Sequence, residues 1–360
     1  MKFLDLFAGI GGFRLGMESA GHKCIGFCEI DKFARASYKA IHNTEGEIEL
    51  HDITRVTDES IRGIGSVDII CGGFPCQAFS IAGNRRGFED TRGTLFFEIA
   101  RFASILRPQY LFLENVKGLL NHENGITFET IISTLDELGY DVEWQVLNSK
   151  DFGVPQNRER VFIIGHFRGE CTRRIFPLSG QSQSISNKSV VKIGNVNPSG
   201  NGMNGEVYQA DGLAPTLTTN KGEGQKIAIK SNTIKQFGVL QPNFNQCGVV
   251  YETDGIAPTI RAYQGGGLEP KIIQRGHGYN QGGVHEIAPT LTSNSYHENN
   301  HLSFGYRIRK LTPRECWRLQ GFPDWAFDKA QEVNSNSQLY KQAGNSVTVN
   351  VIAAIAKELS

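Results

Sequence analysis

Apolar and polar positions fall in regular blocks along the first half of the chain. Short apolar runs at Lys2–Phe7, Lys23–Phe27, Ile48–Leu50, Val67–Cys71 and Tyr110–Leu113 have the length of buried strands. Between them the apolar spacing becomes helical. One helix is predicted from Phe13 to about Ala20, stopped by Gly21. Others are predicted over Lys32–Ile41, over Thr94–Leu106 ended by Pro108, and over Thr127–Leu138 followed by Gly139. Asp141–Leu147 and Arg160–Gly165 read as two further strands. This alternation predicts an α/β fold, a mostly parallel twisted sheet with helices on both faces. In open sheets of this kind ligands bind beyond the carboxyl ends of the strands. Phe7, Glu29, Asp52, Cys76 and Glu114 all fall just after a predicted strand.

From about Gly169 the pattern dissolves into Gln, Ser, Asn and Gly, and helical periodicity vanishes. A phrase recurs there. It runs Val207-Tyr208-Gln209-Ala210-Asp211-Gly212-Leu213-Ala214-Pro215-Thr216-Leu217, then Val250-Tyr251-Glu252-Thr253-Asp254-Gly255-Ile256-Ala257-Pro258-Thr259-Ile260, then Val284-His285-Glu286-Ile287-Ala288-Pro289-Thr290-Leu291. The uneven spacing argues against a solenoid and for three related hairpin units in a small β-rich domain. Thr312-Pro313-Arg314-Glu315 is a capping-box helix start. Gln342-Ala343-Gly344-Asn345-Ser346-Val347 is expected to open a terminal helix, Val347–Leu359. These shifts predict two domains: residues 1–170 with 326–360, and residues 171–325.

Composition narrows the class. The hydrophobic share of 39% and charged share of 21% are those of an ordinary globular protein. No apolar run has the length of a membrane span, and the start of the chain has no secretory pattern. The 7 cysteines lack CxxC pairs, which points to a reducing cytoplasm and against a zinc site. With 37 basic and 37 acidic residues the net charge is zero. That total neither supports nor excludes nucleic acid, because phosphate affinity depends on local basic surface.

The candidate chemistry gathers at the predicted sheet edge. Gly72-Gly73-Phe74-Pro75-Cys76-Gln77-Ala78-Phe79-Ser80 is a shaped loop presenting one thiol; a tight turn with an inert cysteine reads the same way. Cys76 as a nucleophile needs a lowered pKa, since a free thiol titrates near about 8.5. Phe7-Ala8-Gly9-Ile10-Gly11-Gly12 is either a structural turn or a ligand loop, with Glu29 where a ribose-binding acid belongs. A strict GxGxxG is absent. With Asp52 after the third strand, the set suits a nucleoside ligand such as S-adenosylmethionine. Glu114 reads as an acid or as a strand-end cap. Arg158 and Arg160 point to one face and suit an anion, or form a solvated strand edge. The Gly- and charge-rich stretch Gln77–Thr94 has the length of a functional lid.

The blocks Asp5-Leu6-Phe7-Ala8-Gly9-Ile10-Gly11-Gly12, Pro75-Cys76-Gln77, Glu114-Asn115-Val116, Gln156-Asn157-Arg158-Glu159-Arg160 and Gly344-Asn345-Ser346-Val347 resemble, in order and spacing, those of the DNA (cytosine-5)-methyltransferases, especially bacterial and phage restriction-modification enzymes. The resemblance runs from residue 3 to 357. It implies a Rossmann-like methyltransferase domain plus a target-recognition domain, with no metal. It implies Cys76 attacking C6 of a flipped cytosine, Glu114 at N3 and the exocyclic amine, and Arg158 with Arg160 orienting the base. For S-adenosylmethionine it implies Phe7, Gly9, Gly11, Glu29, Ile30, Asp52, Ile53, Pro75, Leu95 and Asn345. For duplex DNA it implies Gln77, Ser80, Arg85 and Arg86 in the lid, and Gln246, Thr259, Tyr263 and Gly265 in the variable region. A cytoplasmic monomer is expected, with a cognate restriction endonuclease as a functional partner. A tRNA methyltransferase on the same core, or an inactive DNA-binding regulator, are the rival readings.

Overall fold

The computed structural model describes residues 1–75, 95–170, 172–180, 189–196, 205–210, 212–217, 226–230, 236–239, 249–251, 272–274, 283–285, 300–301 and 306–359. The chain divides into two compact units. The first comprises Met1–Val190, Gly212–Gly224 and Thr312–Ser360; the second comprises Val191–Asp211 and Gln225–Leu311.

The first unit opens with β1 (Lys2–Leu6), α1 (Gly12–Ser19), β2 (Lys23–Cys28), α2 (Lys32–Ile41), β3 (Ile48–Leu50) and α3 (Asp58–Arg62). It continues with β4 (Ile69–Gly73), α4 (Leu95–Leu106), β5 (Tyr110–Val116), α5 (Ile126–Glu137), β6 (Tyr140–Asn148) and β7 (Glu159–Phe167). The strands form one seven-stranded sheet in the order β3-β2-β1-β4-β5-β7-β6. Strands β1 to β5 run parallel, whereas β7 lies antiparallel between β5 and β6. The parallel strands carry continuous apolar runs because helices cover both their faces. Two buried clusters result. One holds Leu4, Leu6, Ile70, Phe96, Phe102, Leu111 and Leu113. The other holds Phe3, Phe13, Ile69, Phe112, Val351, Ile352 and Ile355. Among the described residues no helix is long and apolar enough to cross a membrane.

The second unit is β-rich. It contains β8 (Lys192–Asn195), β9 (Glu206–Gln209), β10 (Lys226–Lys230), β11 (Gln236–Val239) and β12 (Val249–Tyr251). After these come β13 (Ile272–Gln274), β14 (Gly283–His285), β15 (Asn300–His301) and β16 (Tyr306–Lys310). They form a four-stranded sheet, β16-β10-β9-β8, and smaller sheets β11-β12 and β14-β13-β15. The opening pair of each recurrent phrase falls in a strand of a different sheet: Val207-Tyr208 in β9, Val250-Tyr251 in β12, Val284-His285 in β14. The first copy is not a simple hairpin, because β9 pairs parallel with β10 as well as antiparallel with β8.

The chain then returns to the first unit through α6 (Pro313–Leu319), α7 (Asp324–Val333), α8 (Asn336–Asn345) and α9 (Val349–Ala356). The return falls at Thr312, earlier than the expected boundary at 326, and for a packing reason. Trp317 is buried, donates from Nε1 to Leu339 O at 3.0 Å and stacks edge-on against Phe322. Gln320 Nε2 donates to Ala343 O at 2.8 Å. The capping box forms as expected, with Thr312 N–H on Glu315 Oε2 at 2.7 Å. The terminal helix differs from expectation. Gly344 and Asn345 close α8 rather than opening the last helix, and Ser346 is extended before α9 begins at Val349. That break releases backbone carbonyls which the site uses.

The last helix is held against the first by close backbone approach. A Cβ on Gly16 would lie 2.6 Å from Ile352, and one on Gly12 2.8 Å from Ser346 Oγ. Gly16→Ala therefore overpacks this seam, at an expected cost of about 1–3 kcal/mol. A urea titration would show a lowered midpoint at unchanged slope, and a wild-type midpoint would remove the seam from the stability argument.

Candidate active site

The carboxyl edge of the sheet collects the candidate residues in two groups. The first surrounds the turn after β1. Phe7, Gly9 and Gly11 adopt φ of 54°, 56° and 85°. That left-handed backbone is costly for phenylalanine and open to glycine. Gly11 has a second requirement, since a Cβ there would overlap the His42 ring. The loop is held from behind. Ala8 N–H donates to Cys28 O at 3.0 Å, and Gly9 N–H donates to Glu29 Oε2 at 2.8 Å. Glu29 Oε1 accepts from Asp31 N–H at 2.7 Å. Burial raises the Glu29 pKa, and the two backbone amides oppose the shift. Each Glu29 oxygen keeps a second lone pair for another donor.

Beneath the loop Arg14 is buried, with Nη1 and Nη2 on the two oxygens of Glu47 at 2.7 and 2.8 Å. Its guanidinium lies 5.5 Å from the centre of the Tyr38 ring, and Tyr38 stacks on Phe27 at 4.2 Å. This scaffold was not legible in the sequence, where Arg14 stands as an ordinary helical arginine.

Other residues of the first group differ in what they present. Ile30 is 68% exposed, unusual for a large apolar side chain next to a half-buried acid. Asp52 caps a short 3-10 turn, accepting from Thr54 N–H at 3.1 Å, and the Thr54 hydroxyl lowers its pKa first among the causes. Ile53 packs its side chain into the core, which leaves its backbone as what it can offer at this edge. Phe7 and Leu95 rest half-buried against the same core, and Pro75 and Asn345 are exposed.

The second group surrounds Glu114, near the end of β5. It pairs in register with Gly73 on β4 and Phe162 on β7. A Cβ on Gly73 would come within 3.2 Å of Glu114 Oε2, so glycine makes room for the carboxylate. Asn115, buried beside it, donates from Nδ2 to Phe74 O at 2.9 Å and fixes the loop entering Pro75. Because β7 runs antiparallel, its first residues reach this same edge. Arg160 Nε lies 3.1 Å from Glu114 Oε1. Burial raises the Glu114 pKa, opposed first by Arg160 and then by Arg158. Among the described residues Glu114 Oε1 still receives no aligned hydrogen bond, and Arg158 Nε makes none.

Arg158 is buried just before β7 and stays charged while burial and Arg160 both disfavour that charge. Its Nη2 donates to Ser346 O at 2.8 Å and, more weakly, to Gly344 O at 3.4 Å. The helix break after Asn345 supplies those acceptors. Its backbone is held too, N–H on Asn148 Oδ1 at 3.1 Å and carbonyl on Ser149 N–H at 3.0 Å. A segment that the sequence did not connect with the site completes this frame. Ala214–Leu217, the end of the first recurrent phrase, lies along Pro155–Arg158 in the same compact unit. Asn157 N–H donates to Ala214 O and Ala214 N–H to Pro155 O, both at 2.8 Å.

The structure thus brings Glu114 together with Arg160, Glu29 with Gly9, and Arg158 with the backbone beside Asn345. Cys76, Gln77, Ser80, Arg85, Arg86, Gln246, Thr259, Tyr263 and Gly265 lie outside the described residues.

Comparison with known proteins shows the family. The orphan methyltransferase M.SPRI of Bacillus phage SPR is 36% identical, over 100% of this chain and 97% of the relative. The type II methyltransferase M.HpaII of Haemophilus parainfluenzae is 39% identical, over 99% of this chain and 88% of the relative. Among solved structures the S. pombe Dnmt2 methyltransferase shares the fold, with a TM-score of 0.61 at 18% identity, over 100% of this chain and 98% of that one. A family model described as C-5 cytosine-specific DNA methylase matches residues 1–360, and the chain belongs to that family.

Proposed function

We propose that this protein methylates C5 of a cytosine flipped out of a specific duplex DNA sequence, through a covalent adduct between Cys76 and C6. The observation that carries the reading is Glu114: a buried carboxyl with raised pKa, faced by Arg160, with one oxygen open to a further hydrogen bond. Such a group suits a ring nitrogen that must gain a proton as the ring is attacked.

The first group fits S-adenosylmethionine. Glu29 offers lone pairs to two vicinal hydroxyls, exposed Ile30 offers a face to adenine, and the open space around Gly9 admits a ligand close to the backbone. Phe7, Gly11, Asp52, the Ile53 backbone, Pro75, Leu95 and Asn345 complete the assignment. When bound, this donor supplies an electrophilic methyl group on a sulfonium.

The residues then act in sequence. Cys76 gives up its proton and its sulfur adds to C6. The displaced electron pair moves toward N3, where Glu114 delivers its proton, while Arg158 and Arg160 hold the base and balance charge. C5 becomes nucleophilic and takes the methyl group. A base removes the C5 proton, the C6–S bond breaks to release Cys76 as thiolate, and N3 returns its proton to Glu114. Extruding the base costs a few kcal/mol, which closure of Gln77–Thr94 over it would offset. Ser80, Arg85 and Arg86 are assigned to the DNA backbone. The second unit is assigned to target recognition, with Gln246, Thr259, Tyr263 and Gly265 among its contacts. We assign the protein to the cytoplasm as a monomer that protects DNA against a cognate endonuclease.

Cys76→Ser is expected to abolish turnover and spare duplex affinity, read by methyl transfer from labelled donor and by gel shift. Full activity of the variant would refute the nucleophile, and labelling of tRNA alone would refute DNA as substrate. Duplex DNA with 5-fluorocytosine at the target should form an adduct that survives denaturing electrophoresis. Glu114→Gln is expected to lower kcat about 10²–10⁴-fold at unchanged donor affinity. Burial lets Glu114 hold its proton to higher pH than a free glutamate, so wild-type kcat should fall as pH rises through that raised pKa. The Gln variant should lack this limb.

A further inference from the structure

The chain leaves the second unit at Asp211, contributes Gly212–Gly224 to the first unit, and re-enters the second at Gln225. Within that excursion, Ala214–Leu217 runs beside Pro155–Arg158. Two backbone hydrogen bonds, Asn157 N–H to Ala214 O and Ala214 N–H to Pro155 O, set the register. Thr216 adds a side-chain bond, its hydroxyl donating to Asn157 O at 2.8 Å. Leu217 O receives Arg158 Nη1 at 3.5 Å, and Leu213 and Leu217 bury their side chains as anchors. Leu213 N–H is fixed on Ser189 O at 3.0 Å.

We propose that Thr216 is a positioning residue for Arg158, and that the Ala214–Leu217 segment sets the arginine against the cytosine. Asn157 O belongs to the peptide unit that carries the Arg158 N–H. A hydroxyl bound to that carbonyl fixes the orientation of the peptide from which the guanidinium extends. On the opposite side Asn148 Oδ1 takes the Arg158 N–H, and Asn148 Nδ2 donates to Asn157 Oδ1 at 2.7 Å. The arginine is therefore clamped between a hairpin end of the sheet and a segment whose two chain ends both lead into the second unit. Thr216 acts through the peptide that carries Arg158, so its effect is on geometry.

This inference rests on the methyltransferase reading, and its test separates the two. Thr216→Val keeps the branched shape and removes the hydroxyl; Thr216→Ser keeps the hydroxyl. For Thr216→Val on duplex substrate, kcat and the rate of adduct formation with 5-fluorocytosine DNA are expected to fall about tenfold. KM for duplex and the calorimetric affinity for S-adenosylmethionine should stay within about twofold. Thr216→Ser should recover most of the rate. An unchanged kcat in Thr216→Val overturns the proposal, as does a loss expressed in donor or duplex affinity, or one that Ser fails to rescue. If wild type makes no 5-methylcytosine in duplex DNA, the functional reading itself fails. Donor affinities by calorimetry show whether each variant is folded.

Discussion

A carboxyl buried at the end of a strand must keep its proton, face positive charge or accept hydrogen bonds. In this protein that condition fixes much of the edge. Glu114 needs Arg160 across the sheet, and Arg160 reaches it because β7 runs against β5, which puts the start of β7 at the edge where the parallel strands end. It needs room, which Gly73 supplies on β4. A second arginine, Arg158, shares the same burial and requires acceptors of its own. Those are the carbonyls of Gly344 and Ser346, available because α8 stops before α9 begins. One buried carboxyl with its two arginines thus ties together a glycine, a reversed strand and a helix break that lie far apart in sequence.

The Glu29 half of the edge follows a parallel logic with backbone in place of arginine. Glu29 is raised by burial and held by two amide donors, one of them in the glycine loop itself. The loop cannot relax away from this acid without breaking its contact with Cys28 or crowding His42. Both halves stand on one seven-stranded sheet, which under the proposed function would hold methyl donor and base in fixed approach.

Much of this architecture was readable in the residues. Apolar runs at Val67–Cys71 and Tyr110–Leu113 imply strands covered on both faces, and Cys76 and Glu114 after them mark the carboxyl edge. The Thr312–Glu315 capping box is local chemistry, and it formed as written. What stayed hidden depends on distant partners. Nothing around Asn345 announces that the helix ends there, because the acceptor-hungry Arg158 that uses the break is 188 residues from Ser346. The repeated Ala-Pro-Thr-Leu phrase reads as one of three equal copies, yet the first lies along Pro155–Arg158, a pairing no periodicity encodes. Ile53, which the resemblance implies at the cofactor, has its side chain in the core, a packing that the residues around it do not announce.

The seam between α1 and α9 has a consequence for the making of the protein. Gly16 lies against Ile352, and His22 Nε2 meets Ala356 O at 3.0 Å, so residues near the start of the chain wait for residues more than three hundred positions later. A ribosome adding about 5–20 residues per second leaves the inner face of α1 uncovered for tens of seconds. During that interval Phe13, Met17 and Cys24 have no lasting neighbour from the far end of the chain. Native closure of this seam therefore waits until Ile352 and Ala356 have been synthesised.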